Sequence, residues 1–373
     1  MSMKRTPNNP FLIAGYESPS YFCDREKETK ALHSALQNER DVVLLSARRM
    51  GKTGLIHHLF ATIPASEAYC IYVDIYKTEC LKDFIECFGR AIIGQCGSPS
   101  AREKVMQILH SLRFSFSTDM ITGQPEIGVT LVNQQDEIVS LSQIFSYMEQ
   151  ADKPVYVAID EFQRILDYPE KNIEETLRSY IQHLRNVFFI YSGSQKHMMI
   201  EMFSSAKRAF YQSAQNMHLG AIEEDAYYMF CCRHLQSHQQ NMSQEAFHFL
   251  YEILSAHTWY IQSVMNRLYV LGSPQITIET IQQVICELLE ENQFAYQNYC
   301  TLLAPNQLRV LRAIAKEGHV KEPTKQSFLI KYSLSAPSTV RSAIKVLVEK
   351  EFVQDNNGEY SIYDRFFGIW LTQ

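Results

Sequence analysis

A lysine, a hydroxyl and a pair of carboxylates carry the chemistry open to this sequence. Lys52 and Thr53 follow Gly51 at the end of the run Val42-Val43-Leu44-Leu45-Ser46-Ala47-Arg48-Arg49-Met50-Gly51-Lys52-Thr53. Asp160 and Glu161 close a second apolar run, Pro154-Val155-Tyr156-Val157-Ala158-Ile159-Asp160-Glu161-Phe162-Gln163. Gly-Lys-Thr at the start of a helix suits a phosphate ester. The first helical N–H groups point outward unsatisfied, and the helix dipole favours an anion there. Gly51 has no Cβ, so backbone and phosphate can approach closely. Lys52 would reach the β- and γ-phosphates, and the Thr53 hydroxyl would ligate Mg²⁺. The nucleotide-binding set is expected to be Ser46, Arg49, Met50, Gly51, Lys52, Thr53 and Gly54, with Asp160 joining Thr53 on the metal. Glu161 would polarise an attacking water as general base. Successive strand residues point to opposite sides, which is expected to send Asp160 and Glu161 to different tasks.

These residues need strands and helices around them in a set order. Val42 to Leu45 reads as a short buried strand, and Leu55, Ile56, Leu59 and Phe60 mark one side of the helix that Gly51-Lys52-Thr53 opens. Strand, loop and helix are the context that a P-loop requires. The full pattern G-x-x-x-x-G-K-[ST] starts here with Ser46 instead of Gly. A bare Gly-Lys-Thr before a helix, or an acidic pair capping one, is a common accident. The two together, in this order and each after a buried run, form a specific signal.

Upstream, Asp24 is a plausible N-cap for a helix carrying Ala31, Leu32, Ala35 and Leu36. Phe22 either covers a nucleotide base or packs that helix on the sheet. Ala68 to Asp74 reads as a second parallel strand, and Asn186 to Tyr191 as another, ending in Ser192-Gly193-Ser194-Gln195. Hydroxyls at that strand end either contact the γ-phosphate or attacking water, with Ser192 the catalytic candidate, or form a plain turn. Asn216 to Leu219 would be the last strand. Alternation at Leu112, Phe114, Phe116 and then Ile127, Val129, Leu131 suggests an inserted hairpin over about 112–132, with either a partner or a sheet edge to cover. The expected fold class is α/β, a P-loop NTPase parallel sheet over 1–220. A helical lid follows over 221–298, with His257, Trp259 and Tyr260 in its core, and a winged helix-turn-helix over 299–373. In the last unit Ser335 is expected to cap a third helix, and Asn356-Asn357-Gly358 to turn a hairpin.

Composition narrows the class further. A chain of 373 residues holds two or three structural units, and 46% hydrophobic with 20% charged residues is ordinary for a soluble globular protein. No apolar run is long enough to span a membrane, and Met1 to Pro10 lacks a signal-peptide core. Nine cysteines without CxxC pairs indicate neither a disulfide framework nor zinc, so a reducing cytoplasm fits best. The net charge of −6 argues against a protein that coats nucleic acid, yet the chain from Thr301 onward is +3 and the remainder −9. The third helix of the winged unit offers Ser338, Thr339, Arg341, Ser342 and Lys345 to DNA. Strong DNA binding uses about 6–10 phosphate contacts. Only Lys331, Arg341 and Lys345, with Lys325 beside them, stand near that face, so weak DNA binding competes with a protein contact.

In combination these boxes resemble the archaeal-type ATPases of the STAND/AAA-like P-loop class, over nearly the whole chain. The matching residues are Phe22, Arg25, Glu26 and Glu28; Arg48 to Thr53; Asp160 to Gln163; Ser192 to Ser194; and the terminal Asp364-Arg365-Phe366-Phe367-Gly368-Ile369-Trp370-Leu371. The resemblance implies an ASCE-type sheet, a helical lid, and ATP with Mg²⁺ as ligands. The leading expectation is a Mg-ATP-binding ATPase acting as a nucleotide-dependent switch, whose nucleotide state moves the lid and winged helix against the core, with oligomerisation open. Ser46 and Asp24 stand where the family usually has Gly. An arginine common after the aromatic pair is absent, since Gln212-Ser213 follow Phe210-Tyr211, with Arg208 the nearest substitute. Slow ATP hydrolysis is the resulting expectation. The alternative is a non-hydrolysing regulatory module in which nucleotide is structural and the winged helix contacts protein or DNA.

Overall fold

A computed structural model of the chain describes residues 7–95, 114–118, 125–129, 134–356 and 358–373. Two compact units divide it, Ala14–Ile222 and a second made of residues 7–13 with Glu223–Gln373.

The first unit begins with helix α1, Glu26–Gln37. Asp24 does not cap it. Arg25 holds the N-cap position in the left-handed region at φ 71°, no side chain caps the helix, and Asp24 precedes it at φ 53°. Strand β1 (Val42–Leu45) then leads into α2 (Lys52–Thr62), followed by β2 (Tyr69–Asp74) and α3 (Leu81–Gln95). The inserted pair β3 (Phe114–Thr118) and β4 (Pro125–Val129) is antiparallel, with Phe114 opposite Val129. The turn expected between them lies outside the described residues. Helix α4 (Gln134–Glu149), β5 (Val155–Asp160), α5 (Ile173–Ile181), β6 (Val187–Ser192), α6 (Lys196–Ser204) and β7 (Gln215–His218) complete the unit.

Strands β1, β2, β5, β6 and β7 form one parallel sheet in the order β2-β5-β6-β1-β7. Both faces are covered, so β1, β5 and β6 are buried along their whole length. This is why they read as continuous apolar runs instead of alternating ones. The pleat divides them all the same. Val43, Leu45, Val157, Ile159, Phe189 and Tyr191 pack with Phe84, Phe88 and Phe145 on one face. Val42, Leu44, Tyr156, Ala158, Phe188 and Ile190 pack with Leu32, Leu36, Leu55 and Leu59 on the other. Register aligns the functional strand ends: Asp74 lies beside Asp160, and Leu44 beside Ser192.

The second unit is helical at first. It contains α7 (Glu224–Gln236), α8 (Gln244–Ile253), α9 (Thr258–Leu271), α10 (Ile278–Glu291) and α11 (Gln293–Thr301). Two-residue strands β8 (Asn241–Met242) and β9 (Gln275–Ile276) pair in parallel. The start of the chain belongs here: Phe11 is fully buried against Phe230 and Tyr269, and Asn266 donates to its carbonyl at 2.7 Å. Helices α12 (Pro305–Glu317), α13 (Gln326–Lys331) and α14 (Pro337–Glu349) follow, with β10 (His319–Val320), β11 (Val353–Asn356), β12 (Glu359–Ile362) and α15 (Arg365–Trp370). The wing has three strands, β10-β12-β11, not the hairpin alone. Ala336, not Ser335, is the N-cap of α14; Pro337 follows at N1, where its missing N–H costs nothing.

Candidate nucleotide-binding site

The P-loop is built by two backbone reversals. Arg49 adopts φ 65° and Gly51 φ 93°, and α2 starts at Lys52 immediately afterwards. Gly51 is the position at which an L side chain would be strained. Lys52 is buried, and its Nζ donates to Ser46 Oγ at 3.1 Å and to the carbonyls of Ala47 at 3.2 Å and Ser46 at 3.5 Å. Ser46 therefore does something a glycine there could not: its hydroxyl holds the lysine amine, while donating at 2.8 Å to the Ala47 carbonyl. Burial pushes the Lys52 amine down to about 8, against the opposing pull of Asp160 and Glu161. It is a desolvated cation in want of an anion.

Asp160 is held at both oxygens. Oδ1 accepts the Glu161 N–H at 3.1 Å, and Oδ2 accepts the hydroxyls of Thr53 at 2.7 Å and Tyr72 at 2.8 Å. The Tyr72 ring lies against His57 on the P-loop helix, with centroids 4.4 Å apart. Burial, and then the negative charge of Asp160, keep the Tyr72 phenol protonated, so it remains a donor. Tyr72 was not singled out from the sequence. The one signal for it was position: it sits on β2, two residues before the carboxylate at the strand end.

Glu161 leaves the strand. It lies beyond β5 in the left-handed region at φ 59°. Its separation from Asp160 thus comes from a backbone turn, not from the pleat. Its Oε2 accepts from Gln163 Nε2 at 2.6 Å and from Ser194 Oγ at 2.7 Å and N at 3.2 Å. Ser192 stays inside β6, fully buried, and its hydroxyl has no hydrogen-bond partner among the described residues. Of the two serines at this strand end, it is Ser194 that touches Glu161.

Phe22 packs on the helix of the P-loop. Its ring stacks on His58 at 4.4 Å between centroids and lies 3.3 Å from where a Cβ on Gly54 would stand. Gly54 thus makes room for the aromatic. Arg25, which the sequence comparison matches without giving it a role, is buried and donates to Glu28 at 2.8 Å, to the Gly220 carbonyl at 2.7 Å and to the Met50 carbonyl at 3.5 Å. One guanidinium so ties the first helix to the P-loop and to the segment after β7. Arg208 is engaged elsewhere, 3.0 Å from Glu174 and 3.8 Å from Glu201.

A lysine, a threonine hydroxyl and two carboxylates thus converge at the C-terminal ends of β1 and β5, the end of an open parallel sheet where ligands bind. Oxygen donors such as Thr53 and Asp160 are the set that suits Mg²⁺, so the residues present fit that ion.

Solved structures share this architecture. The Walker-type ATPase PABY2304 of Pyrococcus abyssi matches with a TM-score of 0.67 at 15% identity, covering 98% of this chain and 100% of that one. The fold is that of a P-loop ATPase. The ORC2 protein of Aeropyrum pernix, in ADPNP–ADP complexes, matches with a TM-score of 0.55 at 13% identity over 97% of this chain and 96% of that one. The ORC1 protein of the same organism, in complex with DNA, matches with a TM-score of 0.53 at 12% identity over 98% and 96%. A family model described as a probable winged helix domain matches residues 294–373. Among curated proteins none matches the sequence. Among the described residues no helix is long and apolar enough to cross a membrane.

Proposed function

We propose that this P-loop ATPase fold binds Mg-ATP and hydrolyses it slowly, as a nucleotide-dependent switch in the reducing cytoplasm that the sequence points to. The observation that carries this reading is the 2.7 Å contact between the Thr53 hydroxyl and Asp160, one residue from a buried lysine and one from a second acid. Lys52 would bind the β- and γ-phosphates, and the N–H groups from Arg49 to Gly54 would cradle them. Thr53 and Asp160 would hold Mg²⁺, which supplies charge neutralisation on the phosphates when bound. Glu161 would take a proton from the attacking water, with Ser194, not the buried Ser192, beside its carboxylate. Phosphate release from ATP by the purified protein, with and without Mg²⁺ and DNA, tests the reading. Mg-dependent release supports it, and no release under any condition overturns the enzymatic part.

Tyr72 offers a finer test. Removing its hydroxyl strips one of two donors from Asp160 Oδ2. Partners that orient a metal ligand contribute about 10–100-fold in metal affinity. Tyr72→Phe is expected to weaken the apparent Mg²⁺ affinity on that scale and to leave stabilisation by metal-free ATP in place. Thermal shifts across a Mg²⁺ titration read both. Equal titration curves for variant and wild type would remove Tyr72 from the site.

A second reading, the non-hydrolysing module, is favoured by Arg208, whose guanidinium is engaged by Glu174 and Glu201. An arginine near the γ-phosphate contributes about 10³–10⁵ in rate in related systems. In either reading the winged helix is the output, to DNA or to protein. The DNA-bound relative and the exposed Arg341 support DNA. Against strong affinity stand the ion pairs of its lysines: Lys325 with Glu322 at 2.8 Å, Lys331 with Glu317 at 2.6 Å and Lys345 with Glu349 at 3.9 Å.

A further inference from the structure

We infer that Ser194 and Gln163 are positioning residues that select which oxygen of Glu161 receives the proton from water. The inference rests on the proposed role of Glu161 as base. Three donors converge on Oε2: Gln163 Nε2 at 2.6 Å, Ser194 Oγ at 2.7 Å and Ser194 N at 3.2 Å. A carboxylate has about four acceptor sites over its two oxygens. With Oε2 filled, Oε1 is the oxygen left to accept. Glu161 also sits in the left-handed region at φ 59°, a conformation that strains a residue other than Gly. The donors on Oε2 hold it there.

The device spans two neighbouring strand ends. Gln163 stands on the short 3₁₀ turn Phe162–Asp167 behind β5, and Ser194 on the loop between β6 and α6. Gln163 is buried, and its Oε1 has no hydrogen-bond partner among the described residues, so its amide is placed by the contacts of Nε2. The loop can come this near because residue 193 is glycine. A Cβ there would run into Gln163 Oε1 and would stand 2.8 Å from Met199 Sδ. Both Gly193 and Gln163 are thereby explained by one requirement, the approach of Ser194 to Glu161. Movement of the β6–α6 loop would be transmitted directly to the base.

The test compares full-length wild type with Ser194→Ala, Ser194→Thr and Glu161→Gln. Steady-state phosphate release gives kcat and KM for Mg-ATP. Misplacing a reacting group by about 1 Å costs on the order of 10²-fold. Ser194→Ala is expected to lower kcat by about 10–100-fold on that scale, with KM unchanged, and Ser194→Thr, which keeps the hydroxyl, to recover most of it. A Ser194→Ala kcat within about twofold of wild type overturns the inference, as does a Thr variant no better than Ala. If Glu161→Gln turns over like wild type, or wild type has no turnover, the base assignment itself has failed and the inference falls with it.

Discussion

Replacing Lys52 with alanine is expected to abolish the thermal stabilisation that ATP confers on the wild-type protein. The amine is buried among neutral acceptors, the Ser46 hydroxyl and two carbonyls, and burial has pushed it down to about 8. A cation kept there without a carboxylate in contact is poorly compensated in the free protein. Bound polyphosphate would supply the missing charge at short range, in a site where water does not screen it. A ligand at about 100 times its Kd stabilises by about 2.7 kcal/mol. For a unit of this size each kcal/mol moves Tm by about 2–4 °C. Wild type should therefore shift by roughly 5–10 °C at such ATP concentrations, and Lys52→Ala by nothing measurable. The variant should still fold, because the change deletes a desolvated charge and leaves no partner carboxylate stranded in contact. Equal ATP-induced shifts in both proteins would mean that phosphate does not bind at this loop.

The sheet and its two decisive ends were legible because they are local. β1 and β5 are buried on both faces, so each shows as an uninterrupted apolar run, and each motif begins where its run stops. Tertiary contacts were not legible in the same way. Tyr72 looked like one more aromatic in a strand; only the pairing of β2 with β5 brings its hydroxyl to Asp160. Ser192 and Ser194 are chemically equivalent in the sequence. What separates them is that β6 runs one residue further than expected, which buries Ser192 and leaves Ser194 on the loop. Asp24 lost the cap because two consecutive left-handed residues, Asp24 and Arg25, turn the chain so that the arginine points inward to Gly220 and Met50. Propensity favours Asp at a cap, but a buried guanidinium with carbonyl partners outweighs it. The β10 strand of the wing has two residues, too few to leave a pattern.

Glu161→Gln should leave ATP-induced stabilisation intact and remove turnover. The substitution is nearly isosteric, and the environment of Glu161 says how it will be accommodated. Gln163 Nε2, Ser194 Oγ and Ser194 N all donate toward one oxygen. A glutamine can meet all three with its carbonyl oxygen, so its amide nitrogen must take the other position, where Glu161 has Oε1. That nitrogen donates and cannot accept a proton from water. The backbone turn, the contacts to Ser194 and the neighbouring Asp160–Thr53 pair are all retained. Binding survives because neither Lys52 nor Thr53 depends on the acid for a hydrogen bond. General bases contribute about 10²–10⁴ in rate, so kcat for phosphate release at saturating Mg-ATP should fall on that scale. The sign of the effect follows from the donor arrangement: three donors leave the amide one low-energy orientation, and it is the inactive one. Phosphate release and thermal shift measured on the same preparation separate binding from chemistry. Unchanged phosphate release would show that Glu161 is held by Ser194 and Gln163 for some purpose other than accepting a proton.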